Sequence, residues 1–425
     1  MASAYYKRVC DQVLQQKLEA KGAVLIKGAK WCGKTTTATK QAKSIINIDD
    51  PARKKQYLEM ADLNPSVLLQ GNVPRLIDEW QIAPKLWDAV RYEVDKRDDF
   101  GQFILTGSAV PPDMSDISHT GIGRISSMIM RPMSLFESGD SDGTVSLESL
   151  FNPKHEIGGS NNHSIEDITY LICRGGWPKG VGKTKRVALT QAPDYYDGLV
   201  QSDISRVDGV EKDPEKVKRV MRAYARNVAT EASIISLLHD VRTDENDSFS
   251  ETTLRQYISA LSKLFVIENA PAWNPNIRSK TAIRSSDTRY FVDPSIAAAA
   301  LGIGPTDLIN DLNTAGYLFE NMCVRDLRVY AESINGSIYH YRDKSDLECD
   351  AVVHLKNGKY GLVEIKLGGD KGIEDGAKTL LKLKGRIDCE KMNEPSFMMV
   401  LCGVAPYAYT RKDGVIVVPI GCLKN

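Results

Sequence analysis

An α/β chain of more than one domain is what this sequence predicts, on three observations. An apolar, β-branched run, "GAVLIKG", passes into the glycine loop "GAKWCGKTTT" and then into the helix-like "TATKQAKS". That change of period marks strand, turn and helix. Further apolar runs, within "PRLIDEWQ" at 74–81 and "GQFILTGSA" at 101–109, alternate with stretches of helical rhythm such as "APKLWDAVRYEVDKR", as a parallel sheet wrapped by helices requires. Near the C-terminus, "IYHYRDKSDLECDAVVHLKNGKYGLVEIKLG" reads as strand, turn, strand, hairpin, strand, with Asn357-Gly358 as the hairpin signal. At 425 residues the chain exceeds one ordinary core. The boundaries fall at 1–145, 146–310 and 311–425.

The glycine loop carries the sharpest chemistry. Gly28 and Gly33 lack a Cβ, so the loop can turn its N–H groups onto phosphate oxygens, and the helix start adds free N–H groups and the positive end of its dipole. Lys34 then reaches the outer phosphates, the Thr35 hydroxyl takes a place on Mg2+, and Thr36 opens the helix beside it. The stretch is a complete G-x-x-x-x-G-K-T phosphate loop in its strand-to-helix setting. Bound ATP with Mg2+ is the cofactor it implies.

Hydrolysis needs acids from a second strand. "LIDEWQ" supplies Asp78, placed to hold Mg2+, and Glu79, placed to orient or deprotonate water. Taken alone, an Asp-Glu pair after a strand is often a pair of solvated loop charges; downstream of a phosphate loop it reads as catalytic. "FILTGSA" ends in Thr106 and Ser108, candidates for contact with the γ-phosphate or the attacking water.

With these motifs and "GRISSMIMRPMSLFE" at 123–137, the N-terminal domain resembles AAA-type ATPases. The resemblance implies oligomers formed through this domain, in which an arginine completes a neighbouring subunit's site. Arg124 is the candidate, with Arg131 as the fallback; a guanidinium there stabilises charge on the transferring phosphoryl group.

Residues 139–167, rich in Gly, Ser, Asn and Asp, read as a boundary region. After "CRGGWPKGV", helical rhythm returns in "EKVKRVMRAYARNVAT" and in "SETTLRQYISALSKLFVIENAPAW", the latter capped by Ser250. Two helices followed by "LFVIENAPAW" and "TRYFVDPSI" fit a winged helix, which reads DNA or serves as a packing contact. Seven Lys or Arg against four Asp or Glu over 206–226 give only a modest basic excess.

In the C-terminal domain Glu320 lies on a helix and Asp350 on a strand, while Glu364 and Lys366 are two apart on the next strand and so share a face. Asp350 and Glu364 are placed to hold a divalent ion with the Ile365 carbonyl, with Glu320 as a further metal-ligand candidate, and Lys366 to steady hydroxide or a scissile phosphate. This set resembles the restriction-endonuclease-like fold with its D…E-x-K signature. Over nearly all its length the chain, with "RGGWP", "YLFEN", "HYRDKSDLECDAVV" and "VEIKLG", is similar to a prokaryotic family that joins an AAA-type ATPase to a restriction-endonuclease-like domain of unknown function. The resemblance settles architecture more than purpose; the Asp350, Glu364 and Lys366 set favours an ATP-driven switch or motor acting on DNA, with double-stranded DNA as the expected partner. A scaffold whose nuclease-like end only mediates assembly stands beside that reading.

Composition sets the outer limits. Hydrophobic content of 42% and charged content of 26% are those of a globular protein. No apolar run approaches membrane-spanning length, and the first residues carry no secretory core, so a cytoplasmic protein is expected. Eight cysteines without a C-x-x-C pair indicate neither a zinc site nor a disulfide framework. The net charge of zero leaves DNA binding to a local patch.

Overall fold

The computed structural model describes residues 5–107, 121–152, 157–206, 212–242, 248–274, 286–387 and 392–425. It divides into two compact units. One comprises Met1–Pro132, Gln201–Lys212 and Ser259–Val266; the other comprises Met133–Val200, Asp213–Ile258 and Ile267–Asn425.

In the first unit the elements run α1 (Cys10–Ala20), β1 (Ala23–Lys27), α2 (Lys34–Gln41), β2 (Ser44–Asn47), α3 (Lys54–Leu63), β3 (Arg75–Asp78), α4 (Leu86–Arg97), β4 (Phe103–Gly107) and β5 (Ile125–Ile129). The five strands form one parallel sheet in the order β2-β3-β4-β1-β5. Strand alternation sends Val24 and Ile26 to one face, where Leu14 and Leu18 of α1 cover them. Leu25 goes to the other face, where it packs with Leu86, Val90 and Val94 of α4. Both faces are therefore apolar, which is why β1 and β4 read as unbroken hydrophobic runs. The order inserts β4 between the strand entering the glycine loop and the strand ending at Asp78.

In the second unit a six-stranded sheet has the order β11-β12-β10-β9-β8-β7, from β7 (Gly336–Arg342), β8 (Glu348–Leu355), β9 (Tyr360–Gly368), β10 (Phe397–Val404), β11 (Tyr409–Thr410) and β12 (Ile416–Pro419). The Asn-Gly turn joins β8 to β9 as read, with Gly358 at φ 84°. The apolar face of helix Asp370–Lys384, Ile373, Ala377, Leu380 and Leu383, packs on the sheet through Val352, Leu362 and Val400. A small two-stranded sheet pairs β6 (Val145–Ser146) with β13 (Leu423–Lys424). Of the middle segment, the helices Pro214–Arg226, Ile234–Val241 and Glu251–Lys263 form, and the Ser250 hydroxyl accepts from Thr253 N at 3.1 Å, as its capping role requires. The two runs after them pair antiparallel through Ile267–Phe291 and Ala270–Thr288, and Ala272 bridges to His340 on the edge strand β7.

Candidate active sites

The first site is built at the C-terminal ends of β1, β3 and β4. Gly28 and Gly33 take φ of 151° and 107°, a region closed to most side chains, and a Cβ on Gly28 would lie 2.1 Å from the Met130 carbonyl oxygen. The α2 bond nearest the loop runs from Thr37 N to Gly33 O. The N–H groups of Lys34, Thr35 and Thr36 are thus those a helix start leaves without an intrahelical partner. Lys34 is buried, and its Nζ donates to the Gly28 and Ala29 carbonyls at 2.9 and 2.8 Å. The ammonium is thereby held over the loop that surrounds it.

Asp78 joins the motifs. Its Oδ1 accepts from the Thr35 hydroxyl at 2.8 Å and also from Thr106 on the neighbouring β4. Thr35 and Asp78 set hard oxygen donors side by side, a donor pair that fits Mg2+. Glu79 follows in the left-handed region at φ 57° and accepts from the Gln81 amide. Burial pushes its carboxyl above the usual carboxylate range, outweighing the Gln81 hydrogen bond and Lys34, which pull it down. Ser108 lies outside the described residues.

Arg124 precedes β5, its carbonyl accepting from Ala23 N at the start of β1, so it sits at the opposite end of the parallel sheet from the glycine loop. There its guanidinium pairs with Asp95 at 2.7 Å. Arg131 lies past the other end of β5, beside the loop. Two tethers of this loop carry no signal in the sequence. Arg8 donates to the carbonyls of Cys32 and Arg131, both at 2.8 Å. Lys30 pairs with Asp203 at 2.6 Å, across 173 residues of chain.

The second candidate site lies in the six-stranded sheet. Lys366 Nζ stands 2.7 Å from Glu364 Oε2 and 3.2 Å from Asp350 Oδ2. Asp350 Oδ2 also accepts from Ile365 N at 2.7 Å, so Ile365 serves Asp350 through its N–H. Glu320, half-buried on helix Leu312–Ser333, accepts from the Tyr290 hydroxyl at 2.6 Å. Burial, helped by the Asp350 charge, pushes the Glu364 carboxyl up to about 8 and the Glu320 carboxyl well above its usual range. Burial acts against the Lys366 ammonium, but the Asp350 and Glu364 carboxylates outweigh it and raise its pKa. Among the described residues no three His, Cys, Asp or Glu side chains gather as a metal-holding set. Lys366 itself takes the place between the two carboxylates, so this end fits an internal ion triad better than a bound cation, and no metal step is assigned to it.

His340, on β7 in the same unit, is buried, its Nε2 3.0 Å from the Ser286 carbonyl. Burial holds its pKa below the ordinary value, against the Ser286 bond and Asp287, while Arg342 lowers it further; Glu231 lies 3.6 Å away. A histidine with a depressed folded pKa is protonated first in the unfolded chain. The stability it contributes is complete above about 6.5 and lost as pH falls below that toward the folded value. Urea midpoints of the wild type are expected to fall between pH 7.5 and 5 more than those of His340→Gln; parallel declines would remove His340 as the cause.

Three stretches match known families: residues 20–138 the AAA domain, 165–307 a domain of unknown function (DUF8612), and 315–423 another (DUF4143). Two uncharacterised mycobacterial proteins, one from Mycobacterium bovis and one from Mycobacterium tuberculosis, are each 23% identical over 358 residues, 83% of this chain and 72% of the relative. Among solved structures, a Walker-type ATPase of Pyrococcus abyssi aligns with a TM-score of 0.43 and 14% identity, over 70% of this chain and 96% of its own. The match over 20–138, with its phosphate loop, its acid-bearing β3 and Thr106 on the strand between, makes this stretch an AAA-type ATPase domain that binds and hydrolyses ATP.

Proposed function

We propose that the chain is a Mg2+-dependent, cytoplasmic ATPase whose cycle works a switch or motor on double-stranded DNA, assembled as a homo-oligomer through residues 1–145. The observation that carries the ATPase half is the Thr35–Asp78–Thr106 set of hydrogen bonds beside Lys34. Gly28, Gly33, Lys34, Thr35 and Thr36 bind the phosphates, Thr35 and Asp78 hold the ion, and Glu79 activates water. Bound Mg2+ supplies charge neutralisation on the phosphate oxygens. Arg124 completes a second copy's site, with Arg131 as its alternate. Residues 146–310, read as a winged-helix-like region, and 311–425, read as restriction-endonuclease-like, are the parts that engage DNA, the latter through Glu320, Asp350, Glu364 and Lys366.

Lys34→Ala is expected to abolish ATP binding by calorimetry, because the phosphate charge then goes uncompensated in the loop; near wild-type affinity would sink the assignment. Duplex DNA is expected to stimulate ATP turnover, and turnover indifferent to DNA would remove that half alone. A second reading, an ATPase scaffold whose C-terminal domain only mediates assembly or partner binding, is favoured by Lys366 standing within ion-pair distance of both Asp350 and Glu364.

A further inference from the structure

Beside the Lys366 triad the second unit holds a cavity of about 230 Å3, walled by the middle segment (Ala229–Glu231, Thr288, Tyr290) and by Tyr317, Glu320, His340–Arg342 and Glu348–Asp350. The volume lies below the roughly 300–1,000 Å3 of a drug-sized cleft and suits one ring system. Tyr317 is 48% exposed and stands three residues before Glu320 on the same helix, so the two side chains share a face. Glu231, Glu348 and Asp350 line the cavity as hydrogen-bond acceptors. Arg342 is 40% exposed and lies 2.9 Å from Asp346 and 3.6 Å from Glu348.

We propose that this cavity takes a single unpaired nucleobase bearing an exocyclic amino group, presented by a DNA strand, with Tyr317 as its stacking platform. The proposal rests on the reading of the C-terminal part as DNA-engaging. The chemistry fits without an added ion. An amino group donates to carboxylates, as cytosine N4 does to Glu or Asp, and an unpaired base stacks on an aromatic ring that it cannot reach inside a duplex. The exposed guanidinium of Arg342 is the lining group suited to the strand's phosphate. Unpaired thymine offers the carboxylates one imino N–H, N3–H, where cytosine offers the two N–H donors of its amino group.

Fluorescence anisotropy of the full chain with labelled oligo(dC), oligo(dT) and a duplex of equal length tests this at neutral pH. Oligo(dC) is expected to bind about tenfold more tightly than oligo(dT) or duplex. Tyr317→Ala is expected to lose about tenfold on oligo(dC), the order of one base stacked on an aromatic side chain, while Tyr317→Phe retains it. Equal affinity for dC and dT, preference for duplex, or unchanged binding by Tyr317→Ala overturns the cavity proposal and leaves the DNA reading in place. Failure of the wild type to bind any of the three removes both.

Discussion

Glu79→Gln is expected to leave ATP binding at the wild-type level and to lower turnover by a factor on the order of 10² or more. In the proposed site the phosphates and Mg2+ fall to Lys34, Thr35, Asp78 and the loop N–H groups, none of which the substitution touches. A glutamine keeps an oxygen for the Gln81 amide, which in the wild type donates to Glu79, so the local geometry survives. What goes is the proposed base. Burial has raised its proton affinity above that of an ordinary carboxylate, and the acid limb of the wild-type rate profile is expected above the usual value of about 4.3. Calorimetry and phosphate release on the same preparation separate the two quantities. Equal loss of both would make Glu79 a ligand or a structural residue.

Arg325→Ala is expected to cost the second unit about 3–5 kcal/mol, the range for breaking a buried ion pair by removing one partner. Arg325 is 1% exposed, its Nη1 2.8 Å from Asp293 Oδ2 and its Nη2 2.7 Å from Asp326 Oδ1. Both carboxylates also accept from the main chain, Asp293 from Gly176 N and Asp326 from Leu135 N, each at 2.9 Å. Truncation leaves two buried negative charges facing a hole. The network ties "RGGW", "VDPS" and "SLFE", three segments far apart in sequence, so its loss frees backbone as well as side chains. Chemical denaturation is the measurement. A loss under about 1 kcal/mol would show the triad to be solvated or replaceable. Arg124→Ala is the contrast, since its pair with Asp95 is exposed and screened by solvent, and the denaturation midpoint is expected to stay near the wild-type value.

That triad also shows where sequence reading ends. The glycine loop was legible because its working groups lie within ten consecutive residues whose strand, turn and helix periods are local. Asp78 and Thr106 were legible as polar residues ending apolar strands, but the strand order that makes them neighbours is not written in any window. Glu364 and Lys366 were placed on one face by the period of a strand alone. Their partner Asp350 comes from the hairpin turn, which fixes register. By contrast Arg8, the Lys30–Asp203 pair and Asp293–Arg325–Asp326 depend on contacts across tens to hundreds of residues. An arginine that will be buried looks in sequence like one that faces water. The edge pairing of Ala272 with His340 was hidden for the same reason, since the middle segment shows its strand rhythm but not whose edge it joins.

The direction of the five parallel strands has a consequence for assembly. Because β1 and β5 run the same way, the domain has two unlike ends, the glycine loop at one and Arg124 at the other. An arginine at one end can complete only a site presented by the opposite end of another copy. Two copies laid antiparallel about a two-fold axis complete each other's sites, whereas an end-to-end contact joins two different surfaces, each copy giving at one end and receiving at the other. Repeated, it closes into a ring when the rotation per step divides a full turn and otherwise runs on as a filament. On the proposed role of Arg124, a ring completes every site, whereas an open stack leaves the site of one terminal copy without its guanidinium, so ATP turnover per subunit would measure closure.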